Sequence, residues 1–80
     1  MKVPRNLSSD VLIQLLARFG YISTRQTGSH IRLTTQENGQ HHITIPAHNP
    51  LKIGTLNSIL RSVSDHLGLT KDELLEKMFD

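Results

Sequence analysis

The sequence holds no cysteine and no tryptophan, and only one tyrosine, two phenylalanines and three prolines among 80 residues. Without cysteine there is neither a disulfide framework nor a thiolate metal site, and the expected compartment is the cytoplasm. So few aromatic side chains argue against a large ring-walled pocket of the kind that holds a bulky cofactor, and no cofactor is expected. No apolar run approaches the roughly 20 residues that cross a bilayer. Met1-Lys2-Val3-Pro4-Arg5 also lacks the apolar centre of a secretion signal, so no membrane association is expected. A chain of this length with 36 % apolar residues can bury one small core, and residues 1–80 are expected to form a single domain.

Acids are scarce over most of the chain. Through residue 61, seven Lys and Arg face only Asp10 and Glu37, whereas from residue 62 onward two Lys face five acids. A basic body with an acidic tail suits a polyanionic partner, and nucleic acid is the first candidate.

Apolar periodicity divides the chain. Leu12, Leu15, Leu16 and Phe19 form one stripe of a helix over residues 9–20, with Ser8 or Ser9 as its cap, Asp10 at its positive end, Gly20 as its stop and Pro4 holding back an earlier start. The period then changes to two. Strands are expected over Tyr21–Gln26, His30–Thr35 and His42–Pro46, with Gln36-Glu37-Asn38-Gly39-Gln40 as a turn. From Gly54 the helical period returns in Leu56, Ile59, Leu60, Val63 and Leu67, ended by Gly68. Thr70-Lys71-Asp72-Glu73 reads as a capping box that opens a short last helix carrying Leu74, Leu75 and Met78. The expected fold is α+β, in the order αβββα, with a three-stranded antiparallel sheet, helices on one face and a short C-terminal helix.

The turn also selects a register. A two-residue Asn38-Gly39 turn would set Ile31 opposite Pro46 and divide the isoleucines between the two faces. A three-residue loop with Gly39 left-handed sets Ile31 opposite Ile45 and Leu33 opposite Ile43, burying all four together, and is the register expected.

That register leaves His30, Arg32, Thr34, His42 and Thr44 on the uncovered face. His30, which follows Gly28-Ser29, is the candidate for chemistry, since imidazole can take or give a proton near neutral pH; a polar surface histidine is the plain alternative. The same register sets Gly28 opposite His48 and brings His48 to His30's end of the sheet. Beyond it, Lys52 and Thr55 stand at a helix N-terminus, where free N–H groups favour a phosphate. Arg25 and Arg32 are candidate phosphate contacts, and equally a means of keeping an open sheet soluble. A metal site is not expected: His41 and His42 point to opposite faces, and Asp10 and Glu37 are the only acids outside the tail. His41 is expected to be partly buried near the turn, His66 to serve the negative end of its helix, and Arg18 and Arg61 to lie on solvated faces.

Three motifs then fall in order on these elements: Gly28-Ser29-His30, Ile45-Pro46-Ala47-His48, and Lys52-Ile53-Gly54-Thr55-Leu56 followed by Ile59-Leu60-Arg61. With the first helix ending in Phe19-Gly20-Tyr21, they make the chain similar to the HicA family of mRNA interferase toxins over roughly residues 6–75. The resemblance implies a double-stranded-RNA-binding-like fold, cleavage of mRNA, a catalytic role for His30 and neutralisation by a HicB-type antitoxin. His48 is the candidate second catalytic residue, and Ser29, Arg25, Arg32, Lys52 and Thr55 the candidate RNA contacts. A noncatalytic RNA-binding module of the same fold, or a structural partner docking through its acidic last helix, are the alternatives.

Overall fold

A serine opens the first helix. The Ser8 hydroxyl accepts from the Val11 amide at 3.3 Å, satisfying one of the unpaired donors of the first turn, and Asp10 adds a negative charge at the positive end. The computed structural model describes residues 6–79, so Pro4, expected to hold back the helix, lies outside the described residues. Helix α1 runs Ser9–Leu16 and tightens into a 3-10 turn over Ala17–Phe19, where Gly20 at φ +80° stops it. Leu12 and Leu16 are fully buried, whereas Leu15 and Phe19 pack at the margin of the core.

Three strands follow, β1 (Ile22–Thr27), β2 (His30–Thr35) and β3 (His41–Pro46), in an antiparallel sheet of order β1-β2-β3. β1 starts one residue later than expected because the Tyr21 amide is still bonded to the Leu16 carbonyl at 3.3 Å. Between β2 and β3 the register is the expected one, with Ile31 opposite Ile45 and Leu33 opposite Ile43. Asn38 (φ +58°) and Gly39 (φ +95°) carry the connecting turn in left-handed backbone, which those two residue types adopt at least cost.

The β1–β2 hairpin is tighter. Only Gly28 and Ser29 separate Thr27 from its partner His30, and Gly28 takes φ +57°. The ladder is broken once, between Ser23 and Arg25, where Thr24 is an extra residue forming a bulge. On the turn side Arg25 stands opposite Arg32; beyond the bulge Ser23 stands opposite Leu33 and Ile22 opposite Thr34. An unbroken alternation from the turn would send Ile22 to the core side and Tyr21 outward. The bulge reverses both, so that Tyr21 is 1 % exposed and Ile22 62 % exposed.

Helix α2 (Ile53–Leu67) ends at Gly68 in left-handed conformation, and α3 (Lys71–Phe79) opens with the predicted capping box. The Thr70 amide donates to Glu73 Oε1 at 2.8 Å, and the Glu73 amide donates to Thr70 Oγ1 at 3.1 Å. Leu12, Leu16, Leu56, Leu60, Val63, Leu74, Leu75 and Met78 close over Ile31, Leu33, Ile43 and Ile45 in one cluster, each large side chain contributing about 1.5–3 kcal/mol of burial. The helices therefore cover one face of the sheet, giving the expected αβββα arrangement with its added terminal helix.

Two side chains do more than expected. Arg18, exposed as expected, also donates from Nη1 to the carbonyls of Met78 (2.9 Å) and Lys77 (3.3 Å), capping the last turn of α3. His66 stands in the last turn of its helix as expected, and in addition brings Nε2 within 2.9 Å of the carbonyls of both Glu37 and Gly39, while Asn38 Nδ2 donates to the His66 carbonyl at 2.8 Å. The β2–β3 turn is thereby fastened to the end of α2.

Candidate functional site

The face that the helices leave bare is ordered by cross-strand pairing, because directly opposed residues share a side of the sheet. Three rows result: Thr27 with His30 and Pro46, Arg25 with Arg32 and Thr44, and Ile22 with Thr34 and His42. The first two rows border a shallow depression of about 310 Å³ lined by Arg25, Thr27, His30, Arg32 and Thr44. No acid lines it. Arg25 and Arg32 are direct cross-strand partners, and like charges so placed destabilise a sheet unless something negative lies between them. An imidazole beside two guanidinium groups is a combination that can bind a phosphodiester and move a proton at it.

The third row is less open than the alternation suggests. Thr34 faces this side yet is 6 % exposed, with its Oγ1 2.7 Å from His42 Nδ1 and 3.0 Å from Thr24 Oγ1. A second depression, of about 330 Å³, lies at this end and is lined by Gly20, Ile22, Thr24, Thr34, Gln36 and Glu37.

The remaining candidates stand apart from the first depression's lining. Ser29 sits in the turn before His30 with an exposed side chain, and its carbonyl accepts from the Ala47 amide at 2.6 Å. The ladder ends at His30–Pro46, so the expected pairing of Gly28 with His48 does not form. Instead the His48 amide turns back to the Pro46 carbonyl at 2.9 Å, and the His48 carbonyl accepts from the Ser9 amide at 3.2 Å. His48 is exposed on a segment held against the start of α1. Lys52, also exposed, precedes α2 without a side-chain capping bond, and Thr55 is half-buried in its first turn.

On the core side of the sheet, residues that the sequence reading did not join form a polar cluster. His41 Nδ1 lies 2.7 Å from the Tyr21 hydroxyl, and His41 Nε2 lies 3.3 Å from Ser62 Oγ. Burial, and then the nearby His66 and His42, lower the His41 pKa. Tyr21 is pushed up to about 12, first by burial and then by the negative charge of Glu37. These contacts join residues at least 20 positions apart, and no local pattern announces them. Among the described residues, no three His, Asp or Glu gather where they could hold a metal ion, and no helix is long and apolar enough to cross a membrane.

The family model for HicA toxin of bacterial toxin–antitoxin matches residues 9–64. That span begins with α1, contains the whole sheet with Arg25, His30 and Arg32, and reaches the last turns of α2. No curated protein and no solved structure matches the chain. With well over half of its length matched, the chain belongs to the HicA family of toxins of bacterial toxin–antitoxin systems.

Proposed function

We propose that this toxin is an endoribonuclease that cleaves mRNA on the bare face of its sheet, with His30 as the catalytic residue. The observation that carries the reading is the acid-free depression in which His30 shares its lining with the cross-strand pair Arg25 and Arg32. In the proposed reaction His30 takes the proton from an RNA 2′-hydroxyl as O2′ attacks the adjacent phosphorus. The bond from phosphorus to O5′ breaks and that oxygen takes a proton, which leaves a 2′,3′-cyclic phosphate and a 5′-hydroxyl. Arg25 and Arg32 balance the negative charge that grows on the phosphoryl oxygens. His48 is the candidate donor to O5′, and Ser29, Lys52 and Thr55 are candidate contacts to flanking phosphates. The two guanidinium groups disfavour a bound cation beside His30, and cleavage is expected to persist in excess EDTA.

Cleavage of a long RNA by the purified protein, compared with His30→Ala, tests the reading. Products bearing a cyclic phosphate, made by the parent protein and absent with the variant, are the expected result. RNA binding without cleavage in either protein would instead make the chain a noncatalytic RNA-binding module. As a member of a toxin–antitoxin family it is expected to meet a HicB-type antitoxin in the cytoplasm. Among the described residues no long loop stands beside the bare face, so a partner covering that face is the simplest control.

A further inference from the structure

The second depression on the bare face has a chemistry opposite to the first. It holds one acid, Glu37, and no cation. Glu37 is also the only acid between Asp10 and Asp65, so one of the two carboxylates of the basic body stands here. A phosphate would be repelled at this point. The lining suits a group that is flat, apolar on its faces and rich in hydrogen-bond donors at its edge. Ile22 offers an apolar surface, turned outward by the bulge at Thr24 and 62 % exposed. Thr24, Gln36 and Glu37 supply the polar rim. Gly20 makes room for the carboxylate: a Cβ there would fall 2.3 Å from Glu37 Oε2, and the left-handed φ of +80° disfavours any side chain.

The two depressions lie on the same face and along the same strand. From His30 to Thr34 is four steps of β2, roughly 13 Å at about 3.3 Å per residue. A single-stranded RNA whose phosphate sits at His30 can therefore present a nearby base at Ile22. Among the bases, guanine carries two adjacent donors, N1–H and the 2-amino group, on its Watson–Crick edge. A carboxylate accepts both at once, whereas adenine, cytosine and uracil cannot satisfy it in that way.

We infer that the depression lined by Ile22, Thr24, Gln36 and Glu37 is a base-recognition subsite for a guanine close to the cut, with Glu37 as the residue that sets the preference. The inference rests on the ribonuclease reading for its place in the reaction, but binding at the subsite can be measured without cleavage. It is tested in two assays. In the first, the ¹⁵N-labelled His30→Ala protein is titrated with short oligoribonucleotides that differ only in carrying guanine or adenine at one position. Amide shifts at Ile22, Thr24 and Glu37 are expected to saturate at about tenfold lower concentration for the guanine oligonucleotide, and Glu37→Gln should remove that difference. In the second, a random-sequence RNA library is cut by the parent protein and by Glu37→Gln. Guanine should be enriched at one fixed distance from the parent's cut sites, and the ratio of guanine to adenine there should fall about tenfold with the variant.

Cleavage with no base preference, or with one that Glu37→Gln leaves unchanged, overturns the subsite and leaves the ribonuclease reading standing. Guanine-selective shifts in a protein that never cleaves RNA would do the reverse. Shifts at Ile22 and Glu37 produced by a HicB-type protein and by no oligonucleotide would give this depression to the protein partner and end the proposal.

Discussion

The imidazoles of His41 and His66 lie stacked, with ring centroids 4.3 Å apart and planes inclined by 11°. One ring belongs to the first residue of β3 and the other to the penultimate residue of α2, so the contact joins the sheet to the end of the long helix. A positive charge on either ring is repelled by a charge on the other. His66 also holds the turn carbonyls of Glu37 and Gly39, so its position is not free to adjust.

The first prediction concerns acid. Because burial and then His66 and His42 lower the His41 pKa, the folded state binds this proton less readily than the unfolded chain does. Stability contributed by neutral His41 should be fully present above the ordinary histidine value of about 6.5 and fall as pH drops from there through the folded pKa. Thermal melts from pH 8 to pH 5 should show the loss, and the His41 ring should titrate below its usual range by NMR. Replacing His66 with Gln should move that titration upward without restoring it completely, since burial is the larger cause.

A second titration reads the other end of the scale. Tyr21 is the only tyrosine, so ultraviolet absorbance reports its ionisation alone. The midpoint should lie at about 12. Since the folded state resists the phenolate, stability should decline as pH rises above the ordinary value near 10. Glu37→Gln should lower the midpoint modestly, leaving the effect of burial.

His30→Ala should lose RNA cleavage by about 10²–10⁴-fold while far-ultraviolet circular dichroism and melting temperature stay close to those of the parent. An exposed strand-end side chain packs little, so activity and stability should separate. His30→Gln, which keeps hydrogen bonding and removes the titrating ring, should be equally inactive. A folded, fully active variant would remove His30 from the mechanism.

Reversing Arg25 and Arg32 to Glu should weaken RNA binding, and the parent's affinity should fall as salt screens the guanidinium groups. If a HicB-type partner covers the same face, its binding should weaken in parallel. Glu76→Lys, on α3, should leave RNA binding unchanged. Filter binding at several salt concentrations would separate these cases.

Arg18→Ala should cost about 1 kcal/mol by removing a donor to the last carbonyls of α3, with hydrogen exchange rising first at that helix end. Arg18→Lys should recover part of it. An unchanged melt would mean that the Arg18 bonds add nothing to the hold that Leu74, Leu75, Met78 and the Lys71–Asn57 bond have on α3.

Features fixed by neighbours in sequence were legible before the structure. Ser8, Gly20, Gly68 and the Thr70–Glu73 box act within a few residues, and the strand alternation with a three-residue loop leaves one register that buries Ile31, Leu33, Ile43 and Ile45 together. His30, Arg32 and Thr44 therefore came out on the correct face. Arg18 at α3, His66 on the turn and the Tyr21–His41–Ser62 cluster were hidden because each depends on how distant elements pack. The end of the sheet at which His48 lies was legible too, but not its place against α1, because the ladder stops at Pro46 and the chain leaves the sheet there. The bulge was hidden too, since residues 22–27 run ISTRQT with no glycine to mark it.

Thr24 is the one residue of β1 that neither ladder counts. Deleting it would leave Ile22–Thr34 and Ser23–Leu33 on one side, and Arg25–Arg32, Gln26–Ile31 and Thr27–His30 on the other, with every side chain still on its present face. Deleting Gln26 instead would pull Arg25 across to the covered side and hand its place to Thr24. The strand thus has a tolerance in length at a single point, so indels there should pass where neighbouring ones inactivate, and a scan of one-residue deletions along β1 would trace the parity of the sheet directly.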